Sequence, residues 1–400
     1  MKRYNKYIIL LIFCLIISGC STTTYISETK TPVIEEPEKI SQPEELEEPE
    51  PEPELPKKKD EYTILFAGDI IYHLPIVRSC YDSNLGDYNF EPPFSAIKPM
   101  VESADIAVVN FETAINPDKG PSGFPLFNTP ESALVALKNV GFDVINTSHN
   151  HTLDQGEKGM INVLDSCKKN ELINVGTQYE GEPRTRVVPL DDYKIGLFSY
   201  TYGLNGNEHL MSIDKRDAMI NVIRRDNIEA DIVSLKEEGV DFIIGIMHWG
   251  SEYMEKPNES QQELGRAMID MGADAIIGSH PHVVQFAEYY KTEEASGPII
   301  YSIGNFLSNQ YASTMGNVRS EDGLVVKLTL QPENKTLKLK HMSFHPTWVH
   351  RSEAGYKIIP LKEYFEGAIE HPGIDERIAT HMKLSQEATE EKVKTVPNDF

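Results

Sequence analysis

Ala275-Ile276-Ile277-Gly278-Ser279-His280-Pro281-His282 is the stretch on which the fold turns, a short apolar run with strand character that ends in two imidazoles. Four other runs share its form. Residues 63–68 precede Asp69, 106–109 precede Asn110 and Glu112, 144–147 precede His149 to His151, and 242–247 precede His248. Ligands of open α/β sheets gather beyond the carboxyl ends of the strands. Five tips carrying Asp, Glu, Asn and His therefore predict one convergent, polynuclear metal site.

Between these runs lie segments with helical periodicity, at residues 131–140, 158–169, 228–238 and 259–271. Alternation of this kind predicts an α/β layered domain. A second group, at 186–190, 194–200, 298–303, 324–330 and 337–343, includes neighbours separated by short breaks with no helix between. Those runs predict antiparallel strands in a second sheet, and hence two packed sheets flanked by helices. The main domain is expected over 61–370. In 371–400, Ile374, Ile378 and Met382 recur at helical spacing, which predicts a terminal helix with a frayed polar tail.

The first 60 residues have another character. Lys2, Arg3 and Lys6 precede an apolar run over 7–17, and Ile17-Ser18-Gly19-Cys20 resembles a bacterial lipobox. This predicts a signal peptide over 1–19, cleavage before Cys20, lipid on that cysteine, and a body held outside the cytoplasm at a membrane face. Residues 20–60 are rich in Glu and Pro, alternating outright from Pro49 to Glu54. They cannot bury enough apolar surface to fold and read as a disordered, semi-stiff tether. Cys80 and Cys167 remain in the body, and no structural disulfide is expected of them.

Formal net charge is −24, of which −21 falls on the body. That sign argues against nucleic acid as a partner. A polyanionic substrate would need a cation to offset repulsion.

Within the constellation, Asn110 and Glu112 lie two apart, so an extended segment presents both on one side. A carboxylate in that place can bridge two cations. Asn150 can offer its amide oxygen. His151 and Asp154, three apart, meet if the chain turns there, and the carboxylate then fixes the imidazole tautomer and makes His151 a candidate general acid or base. His149 has no evident role and is expected at the surface. Pro281 biases His280 toward an extended conformation, which would place the His280 and His282 rings on one side, one for each ion of a two-metal pair. Imidazole with carboxylate suits Mn, Zn or Fe.

Taken in order, Ala67-Gly68-Asp69, Asn110-Phe111-Glu112, Asn150-His151 with Asp154 and Gly156, His248-Trp249-Gly250 with Glu252, Gly278 to His282, and Tyr301-Ser302-Ile303-Gly304-Asn305-Phe306 resemble the metallophosphatase (calcineurin-like phosphoesterase) superfamily. Within it they are most similar to the bacterial capsule-synthesis CapA family associated with poly-γ-glutamate. The resemblance implies a four-layer α/β/β/α sandwich. It implies Asp69 and His282 on a first metal, Asn150, His248 and His280 on a second, Glu112 between them, and His151 protonating a leaving group. Asn110, Glu252 and Asn305 are candidate substrate contacts. Phosphoesterases of the superfamily place histidine where this chain has Ile71, and aspartate where it has Glu112, so the first metal and phosphoesterase activity stay open. Three functions remain: a lipid-anchored capsule protein handling poly-γ-glutamate or another anionic polymer beside other capsule-synthesis proteins, an active metal-dependent hydrolase of phosphoester or amide bonds, and a binding module with a structural metal.

Overall fold

The five runs become strands because each is short, rich in β-branched residues and closed by a turn-forming tip. In a computed structural model, which describes residues 59–400 apart from 370 and 372, they are Tyr62–Ile70, Ile106–Phe111, Val144–Asn146, Phe242–His248 and Ala275–Ser279. The predicted signal segment, the lipidated Cys20 and nearly all of the tether lie outside the described residues. Among the described residues no helix is long and apolar enough to cross a membrane.

The strands divide between two sheets. In the first, Tyr62–Ile70, Ile106–Phe111, Val144–Asn146 and Ile173–Val175 run parallel, and Asp322–Glu333, Thr336–Ser352 and Gly355–Pro360 extend it antiparallel on the side of Tyr62–Ile70. In the second, Tyr193–Thr201, Phe242–His248, Ala275–Ser279 and Ser296–Ile300 run parallel, with antiparallel edges at Arg186–Leu190 and Glu288–Lys291. The expectation that the second group of runs forms its own antiparallel sheet is therefore corrected. Each sheet takes members of both groups, with parallel strands in the middle and antiparallel ones at edges, because helical crossovers return the chain parallel and short breaks return it antiparallel.

Alternation along the strands sets the layers. Leu65, Ala67, Ala107 and Val109 face a core shared with Ile76, Leu134, Leu137 and Val163 of the covering helices. Ile64, Phe66, Ile106 and Val108 face the other way and meet Leu197, Ile244, Ile246 and Ile277 of the second sheet. On that sheet's far side Phe198, Ile243 and Ile276 pack against Ile228, Ile232 and Met268, from the Arg225–Glu237 and Glu259–Met271 helices. The order is helix, sheet, sheet, helix, the four-layer α/β/β/α sandwich that the resemblance implies.

Two further expectations change. The run at 298–303 leaves its sheet after Ile300, crosses the strand tips, and re-enters the first sheet as Asn305–Leu307, parallel to Tyr62–Ile70. Gly68 and Gly278 make the crossing possible, since a Cβ on either would come 2.0 Å from the carbonyl oxygen of Gly304 or Tyr301. The tail is also not frayed. The terminal helix spans Glu376–Val393, Val393 and Val396 join the intersheet core, and the backbone amides of Met342 and Phe400 donate to Asn398 and Lys340. Its polar look misleads because Ser385 is buried against Asp322, and Lys392 pairs with Glu255.

Candidate metal centre

Register lines the tips up. Asp69 stands beside Asn110 and Asn110 beside Asn146 in the first sheet, while Thr201 stands beside His248 and His248 beside Ser279 in the second. A hydrogen bond from Ser199 Oγ to Asn146 Oδ1, 2.6 Å, joins the two rows. The two sheets thus deliver their chemistry to one place.

Two donor groups form there, each with its ligand atoms within 4.8 Å of one another: Asp69, Glu112 and His282, and Glu112, His248 and His280. All five residues are buried, and Glu112 belongs to both groups. His248 Nε2 lies 2.9 Å from Asn150 Oδ1 and 3.7 Å from Glu112 Oε1, which brings the Asn150 amide oxygen to the second group. His282 Nδ1 lies 3.2 Å from Asp69 Oδ2. A third group adds the exposed Glu252 to His280 and His282.

The fit to a cation is tested by what these atoms lack. Both carboxylate oxygens of Glu112, and Nδ1 of His280, are buried with no hydrogen-bond partner among the described residues. Native proteins pair nearly all buried polar groups. Burial, reinforced by Asp69, raises the Glu112 pKa well above the carboxylate range, and burial, reinforced by neighbouring imidazoles, holds His248 and His280 well below the histidine range. Neutral imidazoles beside a carboxyl group whose oxygens find no partner are donor chemistry for a divalent cation, whose binding would displace the proton that burial keeps on Glu112. The cluster is compatible with such a metal.

The supporting shell is built from the chain itself. Asn110 Nδ2 donates to Asp69 Oδ1 at 2.6 Å, the His280 backbone amide donates to Asp69 Oδ2 at 3.2 Å, and Ser279 Oγ lies 3.0 Å from His248 Nδ1. Asn110 Oδ1 in turn accepts from Asn146. Asn110, expected as a substrate contact, is placed here between Asp69 and Asn146, where its amide orients the ligands. Asn305 is fully buried; its amide nitrogen donates to the carbonyls of His282 and Ser320 and to Gln310, and its Oδ1 has no hydrogen-bond partner among the described residues. Glu252 remains exposed at the rim.

His280 and His282 are not extended. Their φ values are +96° and +57°, in the left-handed region that non-glycine residues seldom adopt. Local strain of this kind persists where surrounding contacts over-determine it, here the Asp69 bond to the His280 amide. His149, expected at the surface, is 2 % exposed, with burial holding its pKa well down.

His151 and Asp154 do meet. His151 Nδ1 lies 2.7 Å from Asp154 Oδ2, and the same oxygen accepts the Phe127 backbone amide at 2.7 Å. A carboxylate in that role makes Nδ1 the protonated nitrogen and leaves Nε2, 3.4 Å from Asn205 Nδ2, for the cavity that His151 lines with Glu112 and His282. Sequence reasoning missed Asn205 and Tyr202, whose ring packs 4.5 Å from that of His280. The signal was available: Tyr193–Thr201 is another strand of the row, and its tip opens a loop rich in Gly and Asn.

Residues 63–310 match the family described as bacterial capsule synthesis protein PGA_cap. The chain is 30 % identical over 243 residues to the PGA biosynthesis protein CapA of Bacillus subtilis (strain 168), covering 60 % of this chain and 61 % of that one. It is 27 % identical over 287 residues to the capsule biosynthesis protein CapA of Bacillus anthracis, covering 69 % and 65 %. It thus spans less than two thirds of the length of these curated relatives. Among solved structures, the calcineurin-like phosphoesterase YfkN from Bacillus subtilis is similar with a TM-score of 0.40 and 15 % identity, over 83 % of this chain and 98 % of that one.

Proposed function

This chain belongs to the bacterial capsule synthesis protein family PGA_cap, and we propose that it serves poly-γ-glutamate capsule synthesis or export as a lipid-anchored protein on the outer face of the membrane. Its working part is a divalent transition-metal site at the strand tips. The observation that carries the site is Glu112, whose two buried oxygens have no partner among the described residues and stand between the two donor groups. Asp69, Glu112 and His282 would hold one ion, and Glu112, Asn150, His248 and His280 a second. Mn, Zn or Fe suits this mixture of imidazole, carboxylate and amide oxygen. Such ions, when bound, polarise a phosphoryl or carbonyl oxygen and bring a carboxylate-bearing polymer to an acidic body.

A hydrolytic role is favoured by one arrangement, the His151–Asp154 pair. Asp154 is fixed by the Phe127 amide, and it orients His151 so that Nε2 can give a proton to a leaving group in the cavity. Chromosomal Glu112→Gln and His151→Ala strains separate the readings through the amount of surface polymer. Loss in both supports hydrolysis, and loss in Glu112→Gln alone supports metal-dependent binding or export. Normal capsule in a deletion strain would contradict the capsule role itself.

A further inference from the structure

Beside the metal cluster lies a cavity of about 390 Å³ whose walls divide by chemistry. Glu112, His151 and His282 form the end next to the cluster. Much of the rest is apolar or aromatic, with Ile71, Phe124, Phe127, Tyr253 and Met315. The charged side chains on its lining are two carboxylates, Glu112 and Glu252, and no Lys or Arg among the described residues lines it. Arg351 touches the lining only through Asn309, to whose Oδ1 it donates at 3.3 Å, and its guanidinium lies 4.4 Å over the Tyr311 ring.

The apolar wall is held in place. Phe127 is fully buried and packs edge-on against both His151 and His73, at centroid distances of 4.7 and 5.4 Å. Phe124 is 77 % exposed, a large ring left in water at the mouth. Its loop is nonetheless tied: Ser122 and Asn128 exchange backbone hydrogen bonds at 3.0 Å, and the Asn128 amide donates to the carbonyls of Asn116, Lys119 and Gly120. Gly123 sits so close to the Leu74–Ser79 helix that a Cβ would come 3.0 Å from the Leu74 nitrogen. An exposed aromatic on a fixed loop is available to a ligand without an ordering penalty on its backbone.

We propose that this cavity is a specificity pocket for an uncharged apolar group of the substrate, an aryl or short alkyl body joined to the anionic or carbonyl head that the cluster receives. The inference rests on the metal-site reading above. A free glutamyl carboxylate that reached past the metal-bound end would face the apolar wall and Glu252, with no Lys or Arg on the lining to pair it. An apolar body instead covers Phe124 and Met315 and removes their exposed surface from water. The group accepted beside His151 is therefore an apolar or capped end, and not a second ionised glutamate.

Calorimetric titration of the Mn-loaded full chain with phenylphosphonate, methylphosphonate and phosphonoacetate tests this through affinity alone. Phenylphosphonate is expected to bind about tenfold more tightly than methylphosphonate, and the double variant Phe124→Ala, Met315→Ala is expected to abolish that difference. Phe124 is mostly in solvent, so its removal leaves the core intact. Equal affinity for the two, or tightest binding of phosphonoacetate with its extra carboxylate, would overturn the pocket and leave the cluster standing as an anion site. Absence of binding by any of the three would overturn the metal-site reading, and the pocket with it.

Discussion

Glu112 and Asp231 are carboxylates buried to nearly the same depth, in opposite company. Asp231, on the Arg225–Glu237 helix, accepts hydrogen bonds from the Tyr200 hydroxyl and from Arg184 Nε at 3.1 and 3.3 Å, and Arg184 Nη2 lies 2.9 Å from its Oδ1. The chain supplies its cation. Around Glu112 it supplies more candidate ligands: His248 at 3.7 Å, His282 at 4.0 Å, and the carboxylate of Asp69, which pushes its pKa further up. A buried charge that the fold means to keep for structure is paired from within. One whose own oxygens are left without a partner among imidazoles is kept for something that arrives from outside.

Three substitutions break or sharpen that contrast. The largest effect is expected from Asp231→Ala, which strands Tyr200 and Arg184 and should destabilise the protein by about 3 kcal/mol in denaturant unfolding, with or without metal. Glu112→Gln should do the reverse. In chelated protein at neutral pH it removes a buried, unpaired carboxylate, so stability should rise by about 1 kcal/mol. A large loss of stability there would mean that Glu112 is a structural residue like Asp231.

The smallest effect concerns Asp143, whose carboxylate accepts the Ala107 amide at 2.9 Å and feels the charge of Lys138 only at a distance. Burial raises its folded pKa above the unfolded value, against the opposing hydrogen bond. The folded state therefore holds the proton more tightly. Its contribution is fully present below about pH 4, the unfolded aspartate value, and is lost as pH rises through the folded one. Asp143→Asn should flatten that part of the stability profile, and an unchanged profile would assign the slope to other groups.

Much of this contrast was legible in the sequence, for reasons that can be named. Asp69, Glu112, His248, His280 and His282 could be read as one row because strand tips in a parallel sheet share an end. The Glu259–Met271 helix has the bounds its periodicity predicts, fixed at one end by the capping box of Asn258 with Gln261 and at the other by left-handed Gly272. Which sheet each strand joins was not legible. A hydrophobic run states that a strand is buried, not what it pairs with, and the partner of Asn305–Leu307 lies more than two hundred residues away in the chain. The positive φ of His280 and His282 was hidden for a similar reason, since Pro281 argued locally for extension and the Asp69 carboxylate decides otherwise across the fold. The terminal helix looked polar because its buried face is made of Ser385, Thr389 and Lys392 beside Met382 and Val393. The apolar cavity wall gave no periodic signal at all, as Ile71 and Phe124 come from two separate loops and Met315 from the end of the one-turn helix Ala312–Met315.

The central claim is that Glu112 is completed by a cation. The direct test is to measure bound Mn, Zn and Fe by mass spectrometry in purified wild-type and Glu112→Gln protein, and to follow unfolding as each ion is added back after chelation. Wild type should carry one or two ions per chain and gain about 2.7 kcal/mol at a hundred times the dissociation constant, while Glu112→Gln should show little of either. A wild-type protein free of metal in every preparation, with no ion raising its stability, would contradict the account.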